Sequence, residues 1–111
     1  PVLKGTNLAA LKEDIDILAH PGLISDEEVK LAAKKGVLLE LSGRKGHCLG
    51  NGHVAELALK YRARLCINSD AHSPLDIPAY LSLKNVGLGA GLAVKDLSKL
   101  YSFLNTYIRK I

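Results

Sequence analysis

Three short apolar runs, each followed by a stretch long enough for a helix, constrain the fold of this chain more than any other feature. The first, Asp14-Ile15-Asp16-Ile17-Leu18-Ala19-His20, stops at the breaker Pro21-Gly22. The second is Val37 to Leu41, and the third is Leu65 to Asn68. Between the first two, Ser25 and Glu28 have the spacing of a capping box, Val29, Ala32 and Ala33 share a face, and Gly36 can close the helix. After a loop over 42–52, Val54, Leu57, Ala58 and Tyr61 recur at i, i+3, i+4 and i+7, which predicts a second helix. Such connections are too long for hairpins. The strands therefore run parallel in βαβ units, and the fold class is α/β.

Parallel strands need cover on both faces. Residues 77–111 read as helical, most clearly where Val94, Leu97, Leu100, Tyr101, Leu104 and Ile108 line one side. Gly87-Leu88-Gly89-Ala90-Gly91 lacks the strand-then-helix setting of a dinucleotide loop and reads as a turn. No linker, repeat or low-complexity tract divides the chain, so its 111 residues, 48% hydrophobic and 23% charged, are expected to form one domain. A closed eight-fold β/α barrel takes about 250 residues, so a chain of this length can supply only part of one.

The net charge of +4 favours anionic partners, but the basic residues are scattered and only five aromatic residues, four Tyr and one Phe, accompany them. A phosphorylated small molecule fits as well as nucleic acid, which is not favoured. No apolar run approaches the roughly 20 residues of a membrane helix, and the opening PVLKGTNLAALKED lacks the regions of a signal peptide. A soluble, cytoplasmic protein without a membrane partner is expected. Cys48 and Cys66 are too few for a disulfide scaffold and read as reduced thiols.

In parallel α/β folds ligands gather at the carboxyl ends of the strands. His20 closes the first strand, the loop Ser42–His53 follows the second, and Ser69-Asp70-Ala71-His72 follows the third. Asp70 and His72 at i, i+2 offer an oxygen and an imidazole nitrogen to a divalent ion, or else a turn cap and a surface histidine. In the glycine-rich loop, Arg44 and Lys45, with Asn51 at the start of the next helix, could hold a phosphate; a mobile basic loop is the equal alternative. His47, Cys48 and His53 are too few, and spaced like no common module, for a structural zinc site.

The segments DILAHPG, VLLELSG and CINSDAHSP, in that order and at fitting separations, resemble the PHP superfamily of metal-dependent phosphoesterases, which includes histidinol-phosphate phosphatases and domains of bacterial DNA polymerases. The resemblance covers residues 14–76 and leaves 77–111 as a helical tail. It implies a distorted (β/α) TIM-like barrel holding a cluster of divalent metals (Mn, Fe or Zn). By that resemblance His20 matches the histidine of A-H-P, and Asp70 and His72 match the acid and histidine of S-D-A-H, all three metal ligands. Glu40 matches the acid of a strand motif, where it would orient a ligand rather than coordinate. The superfamily's H-x-H motif is missing: the four histidines are His20, His47, His53 and His72. The resemblance therefore implies the C-terminal half of a PHP barrel, with either a missing N-terminal half or self-association to cover exposed strand edges. The implied function is hydrolysis of a phosphate ester by a metal-activated water. The alternative is a non-catalytic, RNA-binding scaffold resembling the ribonuclease P protein of the same fold, although a scaffold has no need of His20, Asp70 and His72 together.

Overall fold

A computed structural model describes residues 3–110. Pro1, Val2 and Ile111, the outermost residues of the expected domain and helical tail, lie outside the described residues. The elements run α1 (Thr6–Leu11), β1 (Ile17–Leu18), α2 (Asp26–Lys35), β2 (Leu38–Ser42), α3 (Asn51–Tyr61), β3 (Leu65–Asn68), a 3-10 turn at Pro74–Asp76, α4 (Tyr80–Gly89) and α5 (Val94–Lys110). The three strands pair in parallel in chain order, with Ile17 opposite Leu38 and Leu39 opposite Leu65. The chain is thus α/β with a small parallel sheet. That sheet is open, and the described residues do not close a barrel, which three strands cannot do.

Local chemistry sets the element ends. The capping box at α2 is complete: the Glu28 amide donates to Ser25 Oγ at 3.2 Å, and the Ser25 amide donates to Glu28 Oε1 at 2.9 Å. Gly36 then stops the helix at φ 74°, a left-handed conformation that costs glycine little.

Three segments differ from the sequence reading. Of the run 14–20 only Ile17 and Leu18 pair as strand, because β1 has a neighbour on one side only. Helix α1, which the apolar pattern did not announce, buries Leu11 and Asn7 and packs on β1 and α2. The segment 87–91 is also mostly helix, with the turn left to Gly91 at φ 100°. The reason for glycine at 87 is packing: a Cβ there would lie 2.5 Å from Leu97 Cδ2 and 3.0 Å from Ile67 Cδ1. Only a residue without a side chain lets α4 approach α5 and β3 this closely.

Side-chain alternation then divides the sheet into two faces. Leu18, Leu39, Leu41, Leu65 and Ile67 join Val29, Ala32, Val54, Leu57 and Ala58 of α2 and α3, and Leu97 and Leu100 of α5, in one apolar core. Leu38, Glu40, Ser42, Cys66 and Asn68 take the alternate positions, and this face carries polar groups to the carboxyl ends of the strands. Val94 and Ile108, expected on the buried side of α5, are 61% and 63% exposed, since only the middle of that helix meets the sheet. Among the described residues no helix is long and apolar enough to cross a membrane.

Candidate metal centre

Three loops leave the carboxyl ends of β1, β2 and β3, and each delivers one side chain to a common point. One ligand atom each from His20, His47 and Asp70 can be chosen so that all lie within 4.8 Å of one another. The imidazole rings of His20 and His47 are 4.1 Å apart, centroid to centroid, and His47 Nδ1 lies 3.1 Å from Asp70 Oδ2. Two imidazole nitrogens and a carboxylate oxygen form a donor set that suits a divalent transition ion.

The backbone is strained at two of these positions. His20 sits at φ 30° and Asp70 at φ 53°, both in the left-handed region that residues with a Cβ enter at a cost. Such strain persists only where surrounding bonds impose it, and those bonds are visible. Glu40, buried at the middle of β2, accepts from the His20 amide through Oε1 and from Asn68 Nδ2 through Oε2, both at 3.0 Å. Asn7 of α1 donates to the Pro21 carbonyl at 2.8 Å and fixes the turn just after His20.

A resident ion is tested by an orphaned atom. His20 Nδ1 is buried and has no hydrogen-bond partner, which is costly for an imidazole nitrogen unless something else takes its lone pair or proton. That atom belongs to the ring stacked on His47. The donor set therefore fits a divalent ion.

His20 and Asp70 meet, as the sequence motifs imply, but His72 stands apart from the cluster. Its ring is exposed, and its Nδ1 lies 2.6 Å from Arg44 Nη1 and 2.7 Å from the Asp70 carbonyl oxygen. In its place comes His47, which sequence reasoning considered only with Cys48 and His53. Those two point elsewhere: His53 Nε2 bonds the Ile24 carbonyl at 2.6 Å, and Cys48 Sγ donates to the Lys45 carbonyl at 3.5 Å. The signal for His47 was a histidine in a loop that follows a strand. Its partners are far away in sequence, so no spacing rule could select it.

Beside the metal ligands lies a cavity of about 490 Å³ lined by Gly43, Arg44, Lys45, Gly46, Ser69 and Asp76. Arg44 and Lys45 reach into its wall. Asn51 does not: its side-chain oxygen accepts from the Ser42 amide at 3.1 Å, and its NH2 donates to the Ser42 carbonyl at 2.8 Å. The buried amide joins β2 to the start of α3. Each carboxylate oxygen of Glu40 accepts one hydrogen bond in this arrangement. Burial and the nearby Glu40 charge push the thiol of Cys66 up to about 12, which leaves it a neutral core group.

Over 98 residues the chain is 42% identical to an uncharacterized protein of Methanocaldococcus jannaschii, a match that covers 87% of this chain and 45% of that protein. It is 31% identical over 113 aligned positions to probable phosphatases of a Thermoanaerobacter species and of Thermoanaerobacter pseudethanolicus, covering 87% of this chain and 46% of each. The chain spans about half the length of the curated relatives it matches. No family model matches it, and neither does any solved structure.

Proposed function

We propose that the chain carries part of a metal-dependent phosphoesterase of the PHP type, in which His20, His47 and Asp70 hold a divalent ion of the Mn, Fe or Zn kind. The observation that carries this reading is the grouping of His20, His47 and Asp70, whose ligand atoms lie within 4.8 Å of one another, together with a His20 ring whose Nδ1 is buried without a partner. Two relatives named probable phosphatases support the reaction class. The open sheet β1–β2–β3 is in this view a sector of the larger, distorted barrel, and the rest of the molecule adds strands beside it. A phosphorylated small molecule is the substrate.

An ion held there would supply a Lewis acid and an acidified water for attack on phosphorus. The protein's own residues do the remaining work. Glu40 keeps the His20 backbone in its left-handed turn, so that the ring faces His47 rather than solvent. Lys45 and Arg44 line the adjoining cavity and neutralise the phosphoryl oxygens as charge grows on them. Gly43 and Gly46 leave backbone exposed at the cavity wall, where a phosphate can approach closely.

The test combines metal content with turnover. The purified protein, and its His20→Ala and Asp70→Ala variants, are analysed for bound Mn, Fe and Zn and assayed on an aryl phosphate with Mn²⁺. The expected result is bound metal and hydrolysis in the parent, with both lost in the variants. Undiminished hydrolysis in His20→Ala would refute the site.

A further inference from the structure

Arg44 lies within reach of two other groups besides the cavity. Its Nη1 donates to the carbonyl oxygen of Asp70 at 3.0 Å and sits 2.6 Å from His72 Nδ1, while its Nε is 3.7 Å from Asp70 Oδ2. Its own backbone is fixed, since the Arg44 amide donates to the Oγ of fully buried Ser42 at 3.1 Å. One guanidinium therefore bridges the β2 loop to Asp70 and His72 of the turn that follows β3. A guanidinium can only donate, so Nη1 presents a hydrogen to the Asp70 carbonyl oxygen, while His72 Nδ1, 2.7 Å from that same oxygen, accepts from Arg44 or donates to the carbonyl according to its tautomer.

Electrostatics alone makes this placement unfavourable. A permanent cation 3.7 Å from a carboxylate that holds a divalent ion repels that ion and competes for the same oxygen. The half-exposed ion pair is worth little in itself. What the contact does supply is geometry: Asp70 stands at φ 53°, and the bond to its carbonyl, together with the contact to Oδ2, fixes the carboxylate against His47.

We propose that Arg44 is a positioning residue that preorganises Asp70 for the ion, and that phosphate in the adjoining cavity strengthens ion binding through it. The inference rests on the metal-site reading and deepens it. Phosphate beside the guanidinium cancels the charge that repels the ion while the hydrogen bonds to the Asp70 turn stay in place. By linkage the ion must then favour phosphate to the same degree.

The sign of a mutational effect separates this role from simple charge. If Arg44 contributed only its charge, Arg44→Ala would tighten ion binding, as removal of any nearby cation does. A positioning role requires the opposite. Mn²⁺ affinity is measured by electron paramagnetic resonance for the parent, Arg44→Ala, Arg44→Lys and the charge control Lys45→Ala, each with and without inorganic phosphate, and folding is verified by circular dichroism. We expect Arg44→Ala to weaken Mn²⁺ binding by about tenfold or more, the usual effect of removing a group that orients a metal ligand. Lys45→Ala should leave it equal or tighter. Arg44→Lys should fail to restore it, because one ammonium cannot take the place of Nη1 at the Asp70 carbonyl and of Nε beside Asp70 Oδ2 at once. Phosphate should tighten Mn²⁺ binding in the parent and lose that effect in Arg44→Ala. Equal or tighter Mn²⁺ binding in folded Arg44→Ala would overturn the inference while leaving the metal site intact. A parent protein that binds no Mn²⁺ would overturn the metal-site reading itself.

Discussion

Replacement of Glu40 is the perturbation that most directly joins the fold to the site. Its carboxylate is 5% exposed and accepts two hydrogen bonds of 3.0 Å, from the His20 amide and from Asn68 Nδ2. Glu40→Ala leaves both partly buried donors without an acceptor, and each such orphan costs up to about 1–3 kcal/mol. The expected loss is therefore roughly 2–6 kcal/mol, a large part of the ~5–15 kcal/mol that stabilises a typical domain. Glu40→Gln is the control. Its oxygen can still accept from the His20 amide, and its NH2 can donate to Asn68 once that side-chain amide turns over, so the loss should stay near ~1 kcal/mol.

The assay is urea unfolding followed by circular dichroism, with free energies extrapolated to water. The same variants should also differ in metal binding, because the His20 turn is held at φ 30° by the Glu40 contact and relaxes without it. If Glu40→Ala and Glu40→Gln unfold within about 0.5 kcal/mol of each other, the two bonds do not carry the energy assigned to them and the argument from orphaned donors fails.

Asn51→Ala removes both bonds to Ser42 and should destabilise the protein by about 1–3 kcal/mol in the same assay, since the strand-end amide and carbonyl it served are buried. Gly87→Ala places a methyl group 2.5 Å from Leu97 Cδ2 and should cost about 1–3 kcal/mol by overpacking, partly offset by helix propensity; Leu97→Val in the same chain should recover part of it. For Cys66 the folded-state value near 12 lies above the ordinary value of 9.0, so the folded form holds its proton longer than the unfolded form. Stability is then intact below pH 9 and declines as pH rises from about 9 towards 12, a decline that Cys66→Ala should flatten in pH-dependent unfolding. With a thiol reagent at pH 8, half-exposed Cys48 should react in the native protein and Cys66 only after unfolding.

The helices and strands could be read where their signals were local. The capping box at Ser25, the left-handed Gly36 and the strand at 65–68 each depend on residues a few positions apart, and each is found where the pattern places it. Helix α1 was missed because its six residues bury only Asn7 and Leu11, too few to show a periodic face. Gly87 was misread because its reason is tertiary, the approach of α4 to Leu97 and Ile67. Nothing in the neighbouring residues distinguishes a glycine needed for space from one needed for a turn.

The same distinction governs the site, and it also shows why the site is worth testing. Among the described residues the buried polar side chains are Asn7, Glu40, Ser42 and Asn51. All four serve the loops at the carboxyl ends of β1 and β2: Asn7 bonds the turn after His20, Glu40 bonds His20 itself, Asn51 bonds the end of β2, and Ser42 Oγ bonds the amide of Arg44. Elsewhere the core is aliphatic and needs no such groups. Burying polar side chains costs stability unless every bond is made, so a core that only had to fold would have no reason to collect them at one end of its sheet. Their common effect is to hold His20, Arg44 and the glycine-rich loop in fixed, partly strained positions around the cluster. A rim stiffened in this way suits ligand atoms that must stay in place before an ion arrives, and His20 Nδ1 remains the atom there without a partner.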